Sequence, residues 1–385
     1  MDIDFRFFKT DLLKKKGQEP ALILAAACLY AKIIFVVHPI HALILTLFCF
    51  YFFFDSIFLF LTILTIGFLK PNFSIFFGDI HLFLWIKTTL KSSIFSMYPQ
   101  EIADFFCTFF LGEECSYELG HTFRALGLSH LLAISGFHFQ TILGTVDFFL
   151  HPLSNKKMGI YILFFIALCY VCIIEASASV LRSFISIGIS LIAPLLGRFS
   201  DAKNSFYLSY FLIFLLCPKK IDSIGCTLSF LATFGILFYK NKIENFFHRH
   251  LIRPSVYFFE DKQIALKKSF FSILALNLSV FMTTTPYILI TLGAYPPLSL
   301  LTNLFFPTLM VPALFFFLLS LIIPFFSGVV TIYVQKIIWI MQAIPRPLAF
   351  NISVPSEFFF VLETILILTI TIPFIRPCFK TLDHV

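Results

Sequence analysis

Charge is what this sequence has least of. Asp, Glu, Lys and Arg supply 13% of its 385 residues, where a water-soluble domain carries about a quarter. That shortage excludes a fully hydrated surface and leaves lipid as the solvent for much of the chain. Sustained alternation of apolar and polar residues is also missing, which excludes a transmembrane barrel, whose strands face lipid and lumen in turn. No G-x-x-x-x-G-K-[S/T] stretch is present, so the chain has no P-loop, and energy for any transport comes from elsewhere. Internal repeats, low-complexity linkers and a soluble domain of useful size are absent too. The nine cysteines are scattered. Cys169 and Cys172 form a C-x-x-C with no second pair at zinc-ligand spacing, which reads as two small residues inside a span.

What is present is apolar length. Hydrophobic residues make up 59% of the chain, with a mean hydropathy of +0.94. A membrane span needs about 20 consecutive, mostly apolar residues. Such runs fall at 21–37, 40–54, 56–69, 129–150, 158–176, 178–196, 204–217, 224–239, 269–292, 298–324, 329–344 and 358–375. Only helices and closed barrels satisfy the backbone in hydrocarbon. The expected fold class is therefore all-α, a polytopic integral membrane protein of about twelve transmembrane helices, some broken or re-entrant. The region 40–69 is the least determined, because Asp55 fits either a tight turn or one long helix. The 56 phenylalanines have two readings, an aromatic conduit for bases or Phe codons of an AT-rich genome filling lipid-facing positions. The second suffices, so their number says nothing about function.

Basic residues orient the chain, because short cytoplasmic loops carry an excess of Lys and Arg. Lys14, Lys15 and Lys16 precede the first apolar run, which continues too far for a cleaved signal and is expected as an uncleaved span. With the N-terminus inside, the turns at Lys156-Lys157 and at Arg198 and Lys203 are cytoplasmic. So are the loop from Lys240 to Lys268 and the tail with Arg376 and Lys380. The stretch from Lys70 to Arg124, with four basic and six acidic residues, lies outside; only Lys219-Lys220 violates the rule. Within it, 101–112 and 117–127 read as short amphipathic helices that lie on or dip into the membrane face. Cys107 and Cys115 fall there, where they are either a disulfide or two thiols. The expected organisation is a cytoplasmic segment 1–20, spans in 21–69, an extracytoplasmic segment 70–128, a membrane domain 129–325, and C-terminal spans with a short tail 326–385.

Chemistry is carried by polar residues inside the spans, where they are costly and usually line a bundle interior or an aqueous cavity. Gly127 to Phe139, GLSHLLAISGFHF, places His130, Ser135, Gly136 and His138 in an apolar helix. Ser135-Gly136 is a place for that helix to break. Ser135 and His138, three apart, share a face, and either pack helices or form a nucleophile pair that lacks an evident third group. Glu175 and Arg182 flank Ser177 and Ser179, and Arg182 either faces water within the bundle or snorkels to the interface. Ser223 to Phe230, SIGCTLSF, is small and hydroxyl-rich, as close helix contacts require. From Thr283 to Pro312, Pro286, Pro296, Pro307 and Pro312 are expected to break spans around Asn303, as at transport sites.

Four of these stretches, in order, resemble the ComEC family of competence proteins, membrane channels for DNA uptake in natural transformation. They are LGLSHLLAISGFH, the SxSVLR segment ending at Arg182, SIGCTLSFLATFGIL, and the TP…LTNLFFP stretch, and together they resemble that family's membrane domain across residues 100–325. The resemblance implies a single-stranded DNA path with Ser135, Gly136, His138, Arg182, Ser229, Asn303 and Pro307 on it. It implies a bacterial cytoplasmic (inner) membrane location and no cofactor. Its implied partners are single-stranded DNA, membrane lipid, an extracytoplasmic DNA receptor, a cytoplasmic ATPase or helicase and further copies of the chain. Departures are visible. Phe137 stands where the family usually has Leu, and Cys226-Thr227 where it has Phe-Gln. About 55 residues, Lys70 to Arg124, occupy the place of an OB-like domain. The metallo-β-lactamase-like domain of many members is expected to be missing, since His248-Arg249-His250 leads to no Asp and His at metal-ligand spacing. No metal site, nuclease or other enzyme activity is therefore expected. Lys240, Lys242, Arg249, Arg253, Lys267 and Lys268 are candidate contacts for the emerging strand, beside aromatic rings to which bases stack. The positive-inside rule accounts for the same residues. An intramembrane hydrolase using Ser135 and His138, and a lipid or sugar flippase, are the alternatives.

Overall fold

The computed structural model describes residues 81–370 apart from 133, 151–155, 175–176, 196–200, 218–219, 221–222, 252–260, 296–297, 345–351 and several positions between 354 and 367. The expected spans in 21–69, Glu175, Arg253 and most of the tail lie outside the described residues.

The described chain is helical almost throughout. In order come α1 (His81–Met97), α2 (Gln100–Phe106, continued by one wide turn Cys107–Leu111), α3 (Tyr117–Ala125), the single turn α4 (Ser129–Leu132) and α5 (Gly136–Leu150). Then follow α6 (Lys156–Ile173), α7 (Ala178–Leu195), α8 (Ala202–Leu216), α9 (Ile224–Gly235, with a wide turn Ile236–Lys240) and α10 (Asn241–Leu251). The long helices α11 (Asp261–Leu292), α12 (Ser299–Ile322) and α13 (Ser327–Ala343) close the set. The strand pairing among the described residues is a two-residue antiparallel bridge, Ala294 to Ser353 and Tyr295 to Ile352.

Among the described residues three stretches are long and apolar enough to cross a membrane, Ala265–Leu292, Ser299–Ile322 and Pro324–Ala343, with shorter apolar helices at Met158–Ile173 and Ala178–Ala193. At 1.5 Å per residue, the 24 residues of α12 reach about 36 Å, enough for a hydrocarbon layer of about 30 Å with some tilt. The chain is a helical membrane protein. Several hydroxyls in the helices of the bundle are satisfied locally, though that of Thr285 in α11 is buried with no hydrogen-bond partner among the described residues. Thr145, Ser183, Thr233 and Thr284 each donate to the carbonyl four residues back, at 2.8–3.1 Å, which hides the polarity from lipid.

Two expectations from sequence are corrected. Pro286 lies inside α11, and Pro307 and Pro312 lie inside α12, without interrupting either helix. Proline forfeits one backbone hydrogen bond, and neighbouring helices hold the remainder in register. A break does fall where Ser135-Gly136 was expected to give one, between α4 and α5, at Ile134 and Ser135. Secondly, α2 with its wide turn is inside the bundle, not laid on a surface. Ile102, Ala103, Phe105, Phe106 and Cys107 to Leu111 are all buried. Phe106 stacks on Phe317 of α12 at 4.0 Å, and Phe105 on Phe109 at 4.3 Å. Tyr170 donates to the Phe110 carbonyl at 2.8 Å, and the Tyr98 and Ser320 hydroxyls bond to each other. Phenylalanine thus builds the core as well as facing outward, as Phe165 and Phe325 do.

Gly112 ends this segment with φ +70°, its N–H returning to the Cys107 carbonyl, a left-handed cap that a side chain would strain. Glu113 follows and pairs with Lys87 and Lys91, one turn apart on α1, at 3.1 Å each. Cys107 and Cys115 are free thiols, the first buried and the second half-buried.

Candidate functional site

The break before α5 is built by its own residues. Ser135 occupies the cap position, its carbonyl accepting the first helical bond from Phe139 N–H at 3.1 Å. Three residues on, His138 turns back, and its Nδ1 accepts the Ser135 backbone N–H at 3.1 Å and lies 2.9 Å from Ser135 Oγ. This is the returning half of a capping box, with imidazole where Glu or Gln is usual, and the Ser135 hydroxyl meets the ring and not the His138 N–H. An Nδ1 that accepts a backbone N–H is unprotonated, so the neutral ring carries its proton on Nε2. Nε2 is buried and has no hydrogen-bond partner, while the ring meets Phe109 edge-on at 5.1 Å. A nucleophilic serine needs a base that a third group orients. Among the described residues none does so here, and the cap alone explains why these two side chains meet.

Gly136 opens α5 against α7. A Cβ there would stand 2.2 Å from Ser183 Oγ and 3.0 Å from Arg182 Nη2, so only glycine permits this approach. On the far side Arg182 Nε donates to Ser229 Oγ at 2.9 Å, and Nη2 to Ser183 Oγ at 3.4 Å. Ser179 Oγ donates to the same Ser229 Oγ at 3.0 Å. The guanidinium carbon lies 5.9 Å from the Phe230 ring centre, a cation–π distance. Among the described residues no carboxylate pairs with Arg182. A positive group half-buried between apolar helices, held by hydroxyls alone, is suited to an anion arriving from outside the protein.

Of the residues singled out from sequence, Ser135 and His138 meet at the start of α5, the neighbouring Gly136 abuts Arg182 of α7, and Arg182 reaches Ser229 of α9. Asn303 and Pro307 do not join them through any hydrogen bond among the described residues. Asn303 Oδ1 is buried without a partner. Their helix α12 packs against α5 and is tied to the preceding loop by Thr302, whose hydroxyl donates to the Leu126 carbonyl at 2.8 Å. Sequence reasoning missed Ser183 and Gly235. A Cβ on Gly235 would stand 2.4 Å from the Ser279 carbonyl oxygen, so α9 and α11 touch backbone to backbone, as small residues allow. The signal for both was a small residue one or two turns from a recognised motif residue.

The basic candidates form a separate place. Lys240 ends the wide turn of α9, Lys242 and Arg249 lie on α10, and Lys267 and Lys268 on α11. All but Lys240 are exposed, and Lys240 pairs with Glu244 at 3.9 Å. His250 Nδ1 lies 2.9 Å from the Phe246 carbonyl, and no group of three metal-ligating side chains occurs among the described residues.

Over 117 residues the chain is 31% identical to ComE operon protein 3 of Bacillus subtilis, covering 30% of this chain and 15% of that protein. Over 162 residues it is 27% identical to the uncharacterized protein MG316 homolog of Mycoplasma pneumoniae, covering 42% of each. The chain thus spans less than half the length of either relative. No solved structure matches. Residues 109–377, including the break, Arg182, Ser229 and the basic hairpin, match the competence protein family, and the chain belongs to that family.

Proposed function

We propose that this protein passes a single DNA strand across the bacterial cytoplasmic membrane during natural transformation. The observation that carries the reading is Arg182, a guanidinium held by Ser229 and Ser183 beside the opening of α5. A strand bears one charge per phosphate and crosses hydrocarbon only along a wet path edged with cations. Arg182 supplies such a cation beside a helix break, where Gly136 lets α5 approach the guanidinium closely. The kinship with the B. subtilis protein supports a competence role. The strand would be handed over by an extracytoplasmic DNA receptor and drawn in by a cytoplasmic ATPase or helicase. The Ser135–His138 geometry favours a helix cap over an intramembrane hydrolase.

The test separates binding from entry. Deletion of the gene in its host should abolish DNase-protected uptake of labelled DNA and leave surface DNA binding in place. Complementation by the wild-type gene should restore entry. Protected uptake at the parental level in the deletion strain would overturn the proposal.

A further inference from the structure

The hairpin of α10 and α11 carries an amphipathic face that the candidate strand path does not use. On α10, Ile243, Phe246, Phe247, His250 and Leu251 recur at steps of three and four and share one side, while Lys242, Asn245 and Arg249 share the other. Phe247 packs on Phe271 of α11 with ring centres 5.3 Å apart. Phe246 and Leu251 flank that contact and remain 57% and 54% exposed. On α11, Leu266 and Phe270 extend the apolar surface, 71% and 48% exposed.

Depth decides what covers this face. The part of α11 able to cross the membrane begins at Ala265. Phe271 is six positions further on, about 9 Å into that stretch at 1.5 Å per residue. A helix lying in the plane of a membrane beds its apolar side about 5–10 Å into the headgroup and acyl boundary. Phe247 against Phe271 holds α10 at that level. Lys242, Arg249, Lys267 and Lys268 are exposed along the rim of the same hairpin, and cations there complement anionic headgroups.

We propose that α10 and the first turns of α11 form an interfacial platform bedded in the adjacent leaflet. Phe246 and Leu251 sit at the acyl boundary, and the four exposed cations contact the phosphates of anionic phospholipid. This assigns the basic residues to lipid and not to the emerging strand. Rings that stack bases must stand open to water, whereas these lie level with acyl chains.

The experiment uses the full chain in nanodiscs, with Trp85→Phe and Trp339→Phe to remove the native tryptophans and Phe246→Trp as reporter. The lipid is phosphatidylcholine with or without phosphatidylglycerol, brominated near the carbonyl end of the acyl chain. Trp at 246 should emit to the blue and be quenched about threefold more than Trp placed at Asn245 on the polar side. Its quenching should rise with the phosphatidylglycerol fraction, and Lys242→Gln with Arg249→Gln should flatten that rise. A thymidine oligonucleotide should leave the emission unchanged. Should Phe246→Trp not yield folded protein, Leu251→Trp reports the same face. Water-like, unquenched emission would overturn the proposal, as would a response to oligonucleotide in place of anionic lipid.

Discussion

Gly136→Ala is the sharpest probe of the cluster, because two physical effects at that position have opposite signs. Alanine at an uncrowded helical position stabilises by about 0.5–1 kcal/mol relative to glycine, through the entropy of the unfolded chain. Here the new methyl would stand 2.2 Å from Ser183 Oγ, far inside van der Waals contact. Ser183 can turn away only by giving up its bond to the Ser179 carbonyl at 3.1 Å and its place beside Arg182 Nη2, at about 1 kcal/mol for the neutral bond and more for the charged one. Otherwise α5 must back off, and overpacking of this kind costs about 1–3 kcal/mol. Crowding wins, and Gly136→Ala should unfold at lower temperature than the parent in detergent. Adding Ser183→Ala removes the nearest atom and leaves the mobile end of Arg182, Nη2, at 3.0 Å and the residue 183 Cβ at 3.4 Å. The double variant should therefore recover at least half of the loss, a non-additivity that only direct contact produces. Gly136→Leu should not be rescued and should block protected uptake. If Gly136→Ala melts at or above the parent, or the double variant is no better than the single, the contact argued here does not exist.

Arg182→Ala should abolish DNase-protected uptake at normal membrane abundance and Arg182→Lys should keep part of it, since a phosphate at 4 Å and an effective dielectric near 20 interacts by about 4 kcal/mol; near-normal uptake in Arg182→Ala would mean the residue only packs helices. If Ser135 and His138 are a cap, Ser135→Ala should lower the melting temperature by an amount equivalent to about 1 kcal/mol and leave uptake measurable, with His138→Gln holding the fold as capping-box glutamine does; loss of all activity in Ser135→Ala at full stability would favour a hydrolase. Reporter fusions after Lys70 and after Lys240 should sit on opposite sides of the membrane, and the same side for both would sink the twelve-span topology. Partial burial alone would raise the Glu113 carboxyl, but the hydrogen bonds and charges of Lys87 and Lys91 outweigh it and leave its pKa lowered. Its stabilising effect should be fully present above the unfolded carboxylate range near pH 4.3 and fade as pH falls through the lower folded value. Melting curves of Glu113→Gln should lack that acid-side dependence.

Membrane class, helical secondary structure and family were legible in the sequence, because each rests on local or summed properties. Low charge and long apolar runs dictate lipid as solvent whatever the tertiary arrangement, and backbone satisfaction in lipid then dictates helices. The order of four motifs identified the family without any contact being known. The break at Ser135-Gly136 was readable for the same reason, since a glycine beside a serine lets a helix open locally. Tertiary structure decided which residues meet. Arg182 and Ser229 lie 47 positions apart, and no periodicity along either helix reports that Nε of one donates to Oγ of the other. Sequence also laid 101–112 on, or dipping into, the membrane face and broke α11 and α12 at their prolines. Packing overruled both, because apolar partners such as Phe317 and Tyr170 took the first segment inside, and neighbouring helices held the other two together. Burial and helix contact are relations between distant stretches of chain, and only the assembled bundle sets them.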